Sequence, residues 1–313
     1  MGLPVTIYKS TDVGAPVGNV NRPSDWLSIL KACLVNGYGD KQPLGWTLEF
    51  ENTGAYAAVF RNNTVVGSGG YFQIASANGS DGTSVDIDIT CAKIATAVNT
   101  FINKVVLRRL DINSSRTSGW VVIGTSRGFW MIQPSSELTA STSTGYSGGC
   151  WSVFIGDIES FDPNDMSPFC IVSGTPGAGD DTSVSYTGNL GSSSQAYMQI
   201  GCADGSAGIV EYTFDSNVVG LSRTTDINPS AIPSNAPMHL TAVVPSLGGK
   251  YLTSSTEARP IVRGVIPGFY WSSFVGGRDM TEFYHTFGEH GFRLIQGYLT
   301  PFMWIKYTGE WYA

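Results

Sequence analysis

The residues in this 313-residue chain best suited to chemistry are two pairs of carboxylates. Asp157 and Glu159 stand two apart in the run Gly156-Asp157-Ile158-Glu159-Ser160-Phe161, and Asp86 and Asp88 repeat that spacing. In an extended strand, residues at i and i+2 share a face with Cα atoms about 6.6 Å apart. A pair held that way can serve a glycosidase as its acid and its base or nucleophile. The same spacing also describes the polar face or end of an ordinary strand. Asp157 and Glu159 are thus the candidate glycan site, as a depolymerase or, with exposed aromatics, as a non-catalytic binding module.

Other reactive groupings are weaker. Glu282, His285, Glu289 and His290 lie close in sequence and hold two of the three histidines, His239 being the third. A zinc-binding HExxH places its histidines one helical turn apart with a base between them. Here the separation is five and Gly288 interrupts it, so no metal is expected. Cys150 follows Gly148-Gly149, but nothing places a histidine or cation beside it to make a thiolate. Cys33, Cys91, Cys150, Cys170 and Cys202 form no CxxC and read as small buried hydrophobes. Whether two of them pair after release from a cell is left open. Gly67-Ser68-Gly69-Gly70 is followed by no convincing helix and no GxxxxGK[ST] exists, so no nucleotide cofactor is expected.

Charge narrows the classes further. Eighteen Lys and Arg against 25 Asp and Glu give a net charge of −7, and only 14% of residues are charged. That is well below the roughly 25% usual for a soluble domain. Without a cationic stripe for phosphates, nucleic-acid binding is not expected. No apolar run reaches 18 residues, so no membrane span is expected, and residues 1–10 lack the pattern of a secretory signal. The 38 glycines follow no Gly-X-Y period and punctuate short apolar and aromatic runs, as they do in strand-rich proteins.

The elements that must position these residues are mostly strands. Residues 1–23 read as an arm or edge strand followed by a linker. Ser24 or Asp25 can cap a short helix with Trp26, Leu27, Leu30, Cys33 and Leu34 mostly on one face, closed by Gly37 and Gly39. Trp46, Leu48 and Phe50 then alternate with polar residues, and strands are expected over 56–61, 71–75 and 85–89, with a strong turn at Asn78-Gly79. Residues 92–106 are read as a helix. A strand–turn–strand pair is expected over 120–133, and strands again over 150–158, 197–200, 209–214, 239–244, 261–266 and 269–274. Residues 135–149 and 174–194 read as long polar, Gly/Ser-rich loops, and the prolines of 228–237 forbid regular structure. The aromatic C-terminus, 292–312, reads as a strand that is tied down. The expected fold is mainly β, an antiparallel β-sandwich or distorted barrel with one short N-terminal helix. Its organisation is an arm (1–23), a β-rich domain (24–227), and a C-terminal β segment (238–313) that can belong to the same domain.

Three segments resemble a known family. Gly156-Asp157-Ile158-Glu159-Ser160-Phe161-Asp162-Pro163-Asn164-Asp165 is similar to the GD-x-x-S-[FY]-x-P-x-D segment of a family of tailed-bacteriophage virion structural proteins. Residues 26–41 with Gly45-Trp46 look like its N-terminal segment. Arg263-Gly264-Val265-Ile266-Pro267-Gly268-Phe269 looks like its late RG-x-[LI]-PG-[LFY] segment. Between Cys91 and Asp111 the chain departs from the family's more polar pattern. The resemblance implies a tail- or baseplate-associated part of the particle, with head decoration as an alternative. It implies no enzyme, no catalytic residues and no cofactor. The expected location is the virion, assembled in the host cytoplasm. Expected partners are other virion proteins and copies of itself, with a host-surface glycan as a further partner. The large aromatics Trp26, Trp271, Trp304 and Trp311 are the candidate assembly contacts, core packing being the other role open to each.

Overall fold

Chain order explains the layers. The computed structural model describes residues 2–110, 112, 119–134, 151–174, 196–213, 240–247, 260–272, 284–295 and 302–312. Two strands open the chain, β1 (Leu3–Pro4) and β2 (Thr6–Lys9), followed by helix α1 (Pro23–Leu30). Pro23 occupies the first turn, where its missing N–H costs nothing. Neither Ser24 nor Asp25 is the N-cap. Asp25 sits at the third helical position and accepts from the Asn21 and Arg22 amides at 2.8 and 3.1 Å. The helix runs on through a π-helical turn, Lys31–Asn36, and stops at Gly37, whose φ of 75° is left-handed.

A five-stranded meander follows: β3 (Thr47–Asn52), β4 (Ala57–Arg61), β5 (Tyr71–Ser76), β6 (Ile87–Ala97) and β7 (Thr100–Leu110), paired in that order. The last two replace the helix expected over 92–106. Seven of those fifteen residues are β-branched, and Asn99 takes the left-handed turn conformation with φ 61°. The Gln73 side chain fixes the turn by accepting from the Asn99 amide at 2.8 Å and donating to its Oδ1 at 2.7 Å. Cross-strand pairing rewards these residues where a helix would restrict their χ1 freedom.

Next come β8 (Val121–Gly124), β9 (Gly128–Gln133), β10 (Trp151–Asp157), β11 (Glu159–Ser160), β12 (Phe169–Gly174), β13 (Ala196–Gly201) and β14 (Ile209–Thr213). The C-terminal part adds β15 (Thr241–Ala242), β16 (Ser246–Leu247), β17 (Gly264–Val265), β18 (Phe269–Ser272), β19 (Tyr284–Phe287), β20 (His290–Ile295), β21 (Phe302–Lys306) and β22 (Glu310–Trp311). One open antiparallel sheet takes the order β16-β14-β13-β12-β10-β9-β8-β2 and lies at the centre. The expected arm therefore supplies its edge strand, β2. A second five-stranded sheet, β15-β18-β21-β20-β19, forms from the C-terminal part. Short pairs join β1 to β22 and β11 to β17.

The fold is mainly β and sandwich-like, and among the described residues no sheet closes into a barrel. It is built in three layers. On one face of the central sheet Val122, Phe129, Met131, Val153 and Ile155 meet α1 and the meander's Phe60, Phe72 and Ile89. On the other, Val121, Ile123, Trp130, Ile132 and Phe154 meet Phe269, Trp271, Met303 and Ile305 of the C-terminal sheet. Strands buried on both faces must be apolar at every position, which is why 121–123, 129–132 and 153–155 are unbroken runs. Beyond β12 the alternation returns. Met198, Ile200, Val210 and Tyr212 face the core, while Gln199 and Glu211 bond to each other at 2.8 Å. The expected loop at 135–149, the prolines of 228–237 and all but the first residue of 174–194 lie outside the described residues.

Candidate functional site

Three polar clamps tie together parts of the chain that are distant in sequence. In the first, Asp165 and Arg263 come together across 98 residues of chain, with side chains 2% and 0% exposed. Arg263 Nε and Nη2 donate to the two carboxylate oxygens at 2.7 and 2.6 Å. Nη2 also donates to Ser167 O at 3.0 Å, and Nη1 donates to Gly201 O. Asp165 accepts further from Ser160 Oγ at 2.9 Å and the Ser167 amide at 2.9 Å. Burial works to raise the Asp165 carboxyl, but the Arg263 guanidinium and these donors overcome it and hold it below the usual carboxylate range. The β11–β17 pair brings the two motifs into register, Ser160 opposite Gly264. Gly268, with φ 66°, leaves room for the Trp311 ring.

A second clamp joins all three layers. Gly156, with φ 146°, ends β10 against the β8–β9 turn, where a Cβ would lie 2.6 Å from Arg127 O. Asp157 then turns fully inward. Its carboxylate accepts from the Ser68 amide at 2.8 Å and Ser68 Oγ at 2.5 Å, with Arg127 Nε at 3.4 Å. Asn62 Nδ2 donates to Arg127 O at 3.1 Å. The Arg127 guanidinium lies 4.0 Å from the centre of the Tyr312 ring, and Tyr312 OH donates to Asp157 O at 2.7 Å. Burial pushes the Asp157 carboxyl up, against the pull of Ser68 and Arg127. The glycine-rich run 67–70 thus holds a carboxyl group, and it is the protein's own Asp157.

The N-terminal segment closes on a third clamp. Asp12 Oδ2 accepts from Lys41 Nζ at 2.6 Å, the Lys9 amide at 2.6 Å and Tyr38 OH at 2.8 Å. Lys41 Nζ also donates to Ile7 O at 2.6 Å, fastening β2 to the end of the helical segment. Burial raises the Asp12 carboxyl, but Lys41, Lys9 and Tyr38 together hold it below its ordinary value. Tyr8 and Tyr38 beside it are pushed up, first by burial and then by their proximity to Cys33.

These placements revise several expectations. Asp157 and Glu159 do not converge on a groove. The chain breaks at Ile158, whose amide bonds to Pro168 O at 2.9 Å, and Asp157 is sealed while Glu159 on β11 is half-exposed. A sugar cannot reach an acid whose oxygens already face Ser68 and Arg127. Asp88 pairs bidentately with Arg109 at 2.8 and 3.0 Å, while Asp86 accepts from the Ile112 amide. None of the four tryptophans is a surface contact. Trp26, Trp271, Trp304 and Trp311 are 0, 4, 0 and 2% exposed, because each lies between layers or within the C-terminal sheet's own cluster. Trp26 packs 4.9 Å from Trp151, and Trp304 donates to Ser272 Oγ at 2.8 Å.

His285 is buried edge-on to Trp304 at 5.3 Å, while His290 is exposed across the β19–β20 turn. Among the described residues no three His, Cys, Asp or Glu are grouped to hold a metal ion. Glu282 and Cys150 lie outside the described residues. Cys33, Cys91, Cys170 and Cys202 are buried free thiols. Sequence reasoning missed Arg127, Arg263, Ser68, Lys41 and Tyr312. A usable signal was present: in a chain with few cations, Arg127 and Arg263 each directly precede a glycine beside an apolar strand run. No family model matches the chain, and no curated protein aligns with it significantly.

Proposed function

We propose that this chain is a structural component of a tailed-bacteriophage virion, associated with the tail or baseplate and acting through assembly contacts. One observation carries the reading. Asp157, Ser160 and Asp165 of the central segment, Arg263 of the late one, and Tyr38 and Lys41 of the N-terminal one are spent on internal clamps, rather than turned toward a cleft. A clamped three-layer block suits a part whose task is to hold shape under load, with its glycines and arginines selected for close packing. Gly156, Asp157, Ser160, Asp165, Arg263, Gly264 and Gly268 are each needed by a clamp or a close approach. The glycan-site reading loses its acid, because Asp157 is enclosed.

The test is composition of the particle. Mass spectrometry of purified tailed particles from the phage encoding the chain should recover its peptides in fixed ratio to the other tail proteins. A labelled antibody should decorate the tail or its end. Recovery from infected cells solely in the soluble fraction, with intact infectious particles lacking the chain, would refute the proposal.

A further inference from the structure

The sequence holds two Asn-Gly steps, Asn36-Gly37 and Asn78-Gly79, and the fold treats them in opposite ways. An asparagine followed by glycine is where a chain most readily attacks itself. Hydroxide takes the proton of the glycine amide, and the nitrogen adds to the asparagine Cγ. Glycine has no Cβ to obstruct that approach. In a folded chain the reaction needs a free nitrogen and support for the oxyanion that forms on Oδ1.

Asn36-Gly37 lacks the free nitrogen. It closes the helical segment, and the Gly37 amide donates to Ala32 O at 2.8 Å. A Cβ on Gly37 would lie 2.6 Å from Lys41 O, so the step is also hemmed in. Asn78-Gly79 meets both needs. Asn78, Gly79 and Ser80 are exposed at the turn after β5. Among the described residues nothing beyond its chain neighbours lies within 4 Å of a Cβ on Gly79, and its amide has no acceptor. Asn78 Oδ1 accepts from the Ser80 amide at 2.9 Å and from Ser80 Oγ at 2.8 Å. Those bonds fold the side chain back over its own peptide, which brings Cγ toward the Gly79 nitrogen. They also set two donors on the oxygen where negative charge develops. Ser76 Oγ, donating to Ser80 O at 2.6 Å, holds the turn in that shape.

We infer that Asn78 is a site of self-modification, at which the folded chain turns this asparagine into isoaspartate and aspartate. The Gly79 nitrogen bonds to Cγ and the Cγ–Nδ2 bond breaks. Nδ2 leaves as ammonia with a proton from water, which regenerates the hydroxide. Water then opens the cyclic imide at either carbonyl, and no oxidant, metal or second protein is required. The product reaches the helix layer. Asp81 accepts from the Ser24 amide at 2.9 Å and from Ser24 Oγ at 2.7 Å, capping α1 from 57 residues away. The Ser84 amide donates to Asn21 O at 3.1 Å, so the same loop also holds the chain that enters the helix. An isoaspartyl linkage adds a methylene to the main chain just before Asp81 and dismantles the turn. It thereby draws Asp81 off the Ser24 amide, one of the orphan donors of the helix N-terminus.

The experiment is peptide mapping of the full chain after days in mildly alkaline buffer, with electron-transfer fragmentation to separate isoaspartate from aspartate. In the folded chain Asn78 should convert at least about tenfold faster than Asn36, whose glycine amide must first give up its bond. In urea the two rates should converge, because both nitrogens are then free. Ser80→Ala should slow Asn78 severalfold and leave Asn36 unchanged, since it removes only one donor to the oxyanion. The isoaspartyl form should melt roughly 2 °C lower than fresh chain. Freshly made Asn78→Asp, with an ordinary backbone, should not, and ageing should add nothing in Asp81→Ala, where the tie to Ser24 is already gone. Equal rates at the two sites in the folded chain, or an Asn78 indifferent to Ser80→Ala, overturns the inference. An isoaspartyl form that melts like fresh chain overturns the link to α1. The chemistry needs no partner, so it stands or falls apart from the virion reading.

Discussion

Replacing Arg263 by methionine tests the clamp logic most directly, because the substitution keeps much of the side chain's volume while deleting its charge and its donors. Arg263 donates to both Asp165 oxygens and to Gly201 O and Ser167 O, all in a setting where its side chain is wholly buried. Removing one partner of a buried ion pair costs about 3–5 kcal/mol, since the other charge stays behind uncompensated. Losing donors to two partly buried carbonyls acts in the same direction, at up to about 1–3 kcal/mol for each one left unsatisfied. Arg263→Met should therefore destabilise by at least about 4 kcal/mol, read as a shift in urea unfolding followed by tryptophan fluorescence and far-UV circular dichroism. The double variant Arg263→Met/Asp165→Leu should regain most of this, because an apolar pair no longer strands a charge. The pH profile supplies a second sign. In the wild type the folded Asp165 carboxyl lies below its unfolded value of 3.8, so its contribution is present above that pH and is lost as pH falls through the lower folded value. Without Arg263, burial is opposed only by Ser160 Oγ and the Ser167 amide, so the stabilisation that the ionised carboxyl contributes above that pH shrinks. A single variant costing under about 1 kcal/mol, or a double variant no better than the single, would refute the reasoning.

Three further outcomes follow from the same geometry. Gly268→Ala should cost more than about 2 kcal/mol by urea unfolding, because φ 66° is strained for alanine and the added Cβ runs into the Trp311 ring. Spectrophotometric titration at 295 nm should leave Tyr8, Tyr38 and Tyr312 un-ionised at pH 11 in the folded chain and release them in urea; burial pushes these three and Tyr212 and Tyr270 up, so stability falls as pH rises through the unfolded tyrosine value of 10.0. Cys33, Cys91, Cys170 and Cys202 should stay inert to a thiol reagent such as DTNB in the folded chain and react together on unfolding, and fast labelling of any of them without denaturant would contradict their burial.

Much of the fold was legible because burial on two faces leaves a strong mark. The runs Val121–Ile123 and Phe129–Ile132 could only be strands or buried helix, and their glycine-bounded shortness decided for strands. The same runs announce a middle layer, yet composition does not say which residue faces which neighbour, so three layers read as two. The 92–106 error has a local cause: alanines at 92, 95 and 97 imitate a helix, whereas Gln73, some two dozen residues upstream, holds Asn99 in the turn. The carboxylate pair misled because period-two logic presumes one continuous strand, and Ile158 breaks it. Trp26, Trp271, Trp304 and Trp311 misled for another reason. Interfaces and cores share a taste for tryptophan, and only tertiary neighbours separate them.

The sparse charge of the chain acquires a different meaning once the clamps are seen. Arg127, Arg263 and Lys41, from a total of 18 cations, are committed to holding strands distant in sequence. Asp157 draws on Ser68 from the β4–β5 loop, Arg127 from the β8–β9 turn and Tyr312 just after β22, so the junction of the three layers stays incomplete until β22 is in place. The β1–β22 pair, Leu3 opposite Trp311, imposes the same condition on the first strand. A topology in which first and last strands meet carries a large loop-closure cost and folds slowly. A chain shortened by its last few residues loses the β22 pairing, the Trp311 cover over Gly268 and the Tyr312 bond together, so loosening begun at the C-terminus reaches the helix layer through Asp157 and Ser68.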